Sequence, residues 1–145
     1  MGLDMYLTRR IYIGGHFEHL KAEGGVKIST IHETFDIPAN QVDEVVLFAG
    51  YWRKANAIHR WFVGNCQNGV DECQESYVER EQLAELKALC VEALASKDAS
   101  LLPPTEGFFF GSTDIDDWYW KYLQDTIAII DALPPEGEVY YHSSW

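Results

Sequence analysis

Between Trp52 and His59 the chain gathers an indole, a guanidinium, an ammonium, a carboxamide and an imidazole, carried by Trp52, Arg53, Lys54, Asn56 and His59. Arginine offers a planar fork for phosphate or carboxylate, lysine a mobile point charge, and tryptophan a face on which a planar ring can stack. Arg53, Lys54 and Arg60 are a concentration of positive charge in a chain with only 11 basic residues. A second group of candidates is Phe110, Gly111, Ser112 and Thr113. They close a run of three phenylalanines and precede a helical pattern. A glycine turn followed by hydroxyl caps points backbone N–H groups and the positive end of a helix dipole at one spot, which suits an anion. Together the two groups read as the ligand-binding parts of a site for a small anion carrying a ring. The competing reading of the first group is a solvated basic face beside a buried aromatic one.

Catalytic and metal chemistry is less well supported. His59 can act as a general base if Asp71 or Asp114 lies beside it, because histidine titrates near neutrality. A histidine next to a core stripe also serves as a satisfied structural residue. His16, His19 and His32 lack the spacing of a zinc signature. Asp114, Asp116 and Asp117 lack the central glycine and distant glutamate of a calcium loop and read as helix caps. Cys66, Cys73 and Cys90 form no Cys-x-x-Cys pair, and the odd count fits free thiols in a reducing compartment. Nucleophile elbows, phosphate loops and dinucleotide fingerprints are absent. The expectation is no catalytic residue, no metal, no cofactor, and a protein that is more a binder than an enzyme.

Charge narrows the partners. The 145 residues carry 23 acidic and 11 basic side chains, a net charge of −12. Duplex nucleic acid needs clustered cations to neutralise phosphates, so direct duplex binding is disfavoured. Acidity serves solubility, or else imitates nucleic acid and covers a basic groove on another protein. Aromatic content of 14% excludes a disordered chain. No apolar run approaches the roughly 20 residues of a membrane span. The opening residues show no secretory signal, and Gly2 is only a weak myristoylation start. A cytoplasmic protein, with homo-oligomerisation left open, is expected.

These residues need a scaffold. Leu3, Met5 and Leu7 alternate with polar neighbours, predicting a half-buried strand. The pairs Gly14-Gly15 and Gly24-Gly25 bracket a loop carrying His16 and His19, and Val26–Thr30 predicts a second strand. Residues 33–41, polar and containing Pro38, read as a loop. Val45–Phe48 reads as a strand. Tyr51, Ala55, Ile58 and Phe62 predict a helix over Tyr51–Val63, stopped by Gly64-Asn65. Leu83, Leu86, Cys90 and Leu94 predict a helix from about Arg80 to Ser96. The Phe108–Phe110 run reads as a strand between glycines. A third helix is expected after Thr113, with Ile115, Trp118, Tyr119, Tyr122, Thr126, Ile129 and Leu133 buried and Pro134-Pro135 stopping it. Val139–His142 predicts a last strand. The sum is a single α+β domain over residues 1–145, a mostly antiparallel sheet covered by about three helices, with both terminal strands in it.

Three blocks carry a resemblance: Met1–Leu7 (GLDMYL after the first residue), Tyr51–Val63 (YWRKxNxIHxWFV) and Gly107–Thr113 (GFFFGST) followed by Asp114–Trp120. In this order they resemble a family of small uncharacterised proteins encoded by bacteriophages, prophages and bacteria, over most of the chain. The resemblance implies a phage accessory protein acting in a bacterial host cell, in the manner of proteins that counter host immunity; it transfers no catalytic residue. Three functions stand as expectations: a non-catalytic binder that sequesters a small anionic, nucleotide-like ligand; an acidic protein–protein inhibitor of a host factor that acts as a nucleic-acid mimic; or a nucleotide hydrolase using His59 and a carboxylate.

Overall fold

A computed structural model describes residues 2–145. The elements are β1 (Asp4–Tyr12), β2 (Gly25–Ser29), β3 (Thr34–Pro38), β4 (Glu44–Arg53), α1 (Asn56–Cys66), β5 (Ser76–Val78), α2 (Arg80–Ser96), α3 (Asp117–Asp131) and β6 (Glu138–Ser144). The fold is α+β, with a mostly antiparallel four-stranded sheet in the order β4-β1-β6-β5 and a separate two-stranded sheet of β2 and β3. The chain divides into two compact units. One holds the N-terminal segment through Arg9 together with Phe48–Trp145; the other holds Arg10–Leu47. No helix among the described residues is long and apolar enough to cross a membrane.

In the larger unit, strand alternation and helix periodicity converge on one core. Leu3, Met5 and Leu7 are fully buried, and so are Val139 and Tyr141, which alternate along β6. As expected from the sequence, the first and last strands share a sheet, and here they are neighbours. Against that face pack Ile58 and Phe62 of α1, Leu83, Leu86 and Cys90 of α2, and Leu123 of α3. The Phe62 ring stacks on Tyr141 at 4.0 Å and 6°. A Cβ at Gly50 would come within 2.5 Å of the Ile129 side chain, so glycine lets β4 and α3 approach. Helix α2 spans the expected Arg80–Ser96. Its start is a capping box: Glu79 and Gln82 each accept from the other's backbone N–H.

The smaller unit contains the β2–β3 hairpin in the register Gly25↔Pro38 to Ser29↔Thr34. Residues 33–41, expected as a loop, instead contain β3 and the 3₁₀ turn Ala39–Gln41. Pro38 misled the sequence reading. It stands at the strand's last position, where a missing N–H is tolerated. The hairpin leaves Ile28 and Phe35 about half exposed and Ile31 almost wholly so.

Candidate functional site

All of the sequence-predicted ligand-binding residues lie in the larger unit, but on different elements than expected. The predicted helix over Tyr51–Val63 begins only at Asn56, and Tyr51, Trp52 and Arg53 belong to β4. Lys54 turns the corner with φ of 60°, a left-handed conformation that ends the strand. Nothing caps the helix from Ala55, so the sequence carries no start signal there. The helix also runs through Gly64 and Asn65, the expected stop, to Cys66.

The phenylalanine run is likewise a turn and not a strand. Phe109 has φ of 69°, and the Phe110 amide donates to the Gly107 carbonyl at 3.2 Å. No helix begins after Thr113. Helix α3 starts at Asp117, and Asp116 caps it by accepting from the Tyr119 amide at 3.0 Å. Ser112 Oγ accepts from the Asp114 amide at 3.0 Å. Gly111–Thr113 therefore carry no helix N-terminus, and the expected anion-binding turn does not form there.

The two groups of residues nevertheless meet. Asn56, buried on the first turn of α1, donates to the carbonyls of Phe110 (3.2 Å) and Ser112 (2.9 Å) and accepts from the Thr105 amide at 3.2 Å. Its side chain pins the 104–114 loop and has little capacity left for a ligand. Lys54 passes over Gly111: a Cβ there would lie 3.1 Å from Lys54 Cβ, and φ of 91° already demands glycine. Trp52 is buried away from this place, its indole donating to Thr126 Oγ1 at 2.9 Å. Thr113 is exposed, and Phe110 is buried against His59 (rings 5.1 Å apart).

Two depressions adjoin on the β4–α3 side. One of about 240 Å³ is lined by Lys54, Asn56, Gly111, Ser112, Asp114 and Asp116 together with Trp118, Tyr119 and Tyr122. The other, of about 340 Å³, is lined by Tyr51, Trp52, Arg53, Lys54, Trp118, Tyr122 and Asp125. Lys54, Trp118 and Tyr122 belong to both. Trp118 was expected in the buried stripe with Ile115, yet it is 62% exposed and Ile115 45%. Its position one residue into α3, ahead of the packed Tyr119, Leu123 and Thr126, turns it to solvent. Trp118 and Tyr122 are the site residues that sequence reasoning missed as ligand contacts. The guanidinium of Arg53 is exposed and 3.9 Å from Asp4, whose carboxylate also accepts from the Tyr51 hydroxyl. Asp125 is neutralised by Lys121 at 2.6 Å.

On the other side of the 104–114 loop lies His59, fully buried. Nε2 sits 2.8 Å from Asp71 Oδ2 and Nδ1 2.7 Å from the Tyr141 hydroxyl. Of the two carboxylates considered for His59, the fold supplies Asp71. Burial, with the Asp71 charge adding to it, pushes the Tyr141 hydroxyl well above its ordinary range. The phenol therefore keeps its proton, and the imidazole bridges it to the carboxylate, with Nδ1 on the Tyr141 hydroxyl and Nε2 on Asp71. Both ring nitrogens are engaged, so His59 has no lone pair free for a substrate proton. His16 stands 3.5 Å from Asp43. Among the described residues no group of three or more His, Cys, Asp or Glu is arranged to hold a metal ion.

No protein-family model, curated protein or solved structure matches this chain.

Proposed function

We propose that the protein is a non-catalytic binder that sequesters a small anionic, nucleotide-like ligand. The phosphate sits on Arg53 and Lys54, and the base lies against Trp118 and Tyr122. The observation that carries this reading is the sharing of Lys54, Trp118 and Tyr122 by two adjoining depressions, which sets cations and ring faces side by side. The carboxylates of Asp114 and Asp116 in the lining suit a base whose exocyclic amino group needs acceptors. A bare inorganic anion would be repelled there. The resemblance to phage and prophage proteins supports an accessory role in a bacterial host cell, removing a nucleotide-derived signal on which host immunity depends. Hydrolysis is less favoured, since His59 is buried with both nitrogens occupied.

Calorimetry against a panel of linear and cyclic nucleotides tests the proposal. Arg53→Ala should weaken binding by roughly 1.5–3 kcal/mol, the scale of a hydrogen bond to a charged group, with circular dichroism unchanged. Failure of every nucleotide to bind, or equal binding by the variant, overturns it. The net charge of −12 then favours the second reading, an acidic inhibitor that covers a basic host surface as a nucleic-acid mimic.

A further inference from the structure

Beyond the β4–α3 depressions, a third concavity of about 370 Å³ opens on the opposite side of the 104–114 loop, lined by Phe108, Phe110, Trp145, Asp71, Glu106 and Arg60 among others. Its walls are aromatic. Phe110 and Trp145 stand edge to face, 5.8 Å apart at 71°. Phe108 is 78% exposed, an aromatic ring held in water on a turn whose next residue has positive φ. The carboxylate of Asp71 is held in place by two donors, His59 Nε2–H at 2.8 Å and Trp145 Nε1–H at 3.1 Å.

Among the described residues no lysine or arginine pairs with that carboxylate; its partners are the His59 imidazole and the Trp145 indole. Glu106 adds a second carboxylate to the lining. The one cation, Arg60, directs Nη1 to the Pro104 carbonyl at 3.3 Å. The lining sets two carboxylates, Asp71 and Glu106, against one guanidinium, with His59 at its inner wall, and ring faces attract cations through their quadrupoles. We propose that this concavity is a binding site for a small organic cation, an alkylammonium or guanidinium group. The cation is held against Phe108, Phe110 and Trp145 and neutralised by Asp71 and Glu106. The chemistry is opposite in sign to that of the β4–α3 side. It comes either from a free metabolite or from the side chain of a peptide.

The test follows the Trp145 indole N–H resonance, assigned with Trp145→Phe, while choline, its neutral isostere 3,3-dimethylbutanol, or a short arginine-containing peptide is added. Saturable shifts with choline or the peptide, and none with the isostere, are expected, and the tighter of the two identifies the source. Phe108→Ala, which removes an exposed ring, should weaken binding about fivefold, the scale of one cation–π contact. Asp71→Asn should weaken it about tenfold or more, as loss of a charge-assisted contact does. Equal binding of the isostere, no saturable shift with either cation, or unchanged affinity in Phe108→Ala overturns the proposal. The last of these is decisive even if Asp71→Asn loosens the fold.

Discussion

The two sides of the 104–114 loop differ in what fixes them. On the β4–α3 side the candidate ligand groups are exposed and loosely held: Arg53 stands 3.9 Å from Asp4 and beside the Tyr51 hydroxyl, and Trp118 projects into solvent. On the His59 side every polar atom of the Tyr141–His59–Asp71–Trp145 chain that could reach a partner has done so within 3.1 Å. An exposed cation keeps its hydration and its reach, so it can serve a ligand that arrives and leaves. A buried, doubly bonded imidazole serves as a strut that aims a carboxylate. The histidine that looked reactive by residue type is thereby the less reactive, and the ordinary surface arginine the more available.

Asn56 joins the two sides, and its loss should have the largest effect. Asn56→Ala removes three hydrogen bonds at once and leaves the Phe110 and Ser112 carbonyls and the Thr105 amide without their partner. An orphaned buried group costs about 1–3 kcal/mol. With partial rescue by water the variant should lose roughly 2–4 kcal/mol. Urea denaturation measures this directly. A loss below 1 kcal/mol would mean that the loop is held by other contacts, and the two sides would then be independent.

Tyr141→Phe separates the strut from the cleft. It leaves His59 Nδ1 unpartnered inside the core, at a cost of about 1–3 kcal/mol, while Arg53 and Trp118 are untouched. Alkali sharpens the comparison. Tyr141 is raised above its ordinary 10.0 by burial first, so the folded state keeps its proton where the unfolded chain has lost it. Its contribution is complete below pH 10 and falls away as pH rises beyond. Cys66 and Cys90 behave alike, with burial pushing their thiols from 9.0 to about 11 and about 12. The wild type should therefore lose stability progressively above pH 9. Above pH 10 the loss should be shallower in Tyr141→Phe. Urea midpoints at several pH values from 8 to 11 decide it; parallel curves would show that the phenol does not matter.

How much of this was readable in the sequence depended on how local its cause was. The alternation of Leu3, Met5 and Leu7 and the helical spacing of Leu83, Leu86 and Cys90 are local, and the strand and the helix they predict both form, although β1 runs on to Tyr12 without that alternation. The β4–α1 junction defeated the same reasoning. Tyr51 and Phe62 fall on one helical stripe by spacing, while the break comes at Lys54, a residue with no turn preference in a left-handed conformation. The phenylalanine run has strand composition but lies in a turn whose Phe110 and Ser112 carbonyls are held by Asn56, more than fifty positions earlier. His59 is intermediate. Its pairing to a carboxylate was legible as a choice between Asp71 and Asp114, and only the fold could make it. Trp118 was hidden because aromatic residues at helical spacing usually point inward, and in the first turn of α3 its neighbour Tyr119 takes the core position instead.

Trp118→Ala should have the smallest effect and the most selective one. The side chain is 62% exposed, so its removal should change stability by less than about 0.5 kcal/mol, as is usual for surface substitutions. If a base stacks on it, nucleotide affinity should drop by roughly 0.5–1.5 kcal/mol, the worth of one aromatic pair beyond area burial. Binding of a small organic cation beside Trp145 should not change, because Trp118 lines only the β4–α3 depressions. Parallel titrations of one variant with a nucleotide and with choline make the measurement. Loss of both would show that the two sides communicate through the loop that Asn56 holds. Loss of neither would move the base off Trp118 and leave Tyr122 of α3 and Tyr51, 41% exposed on β4, as the rings that line the depression with Arg53.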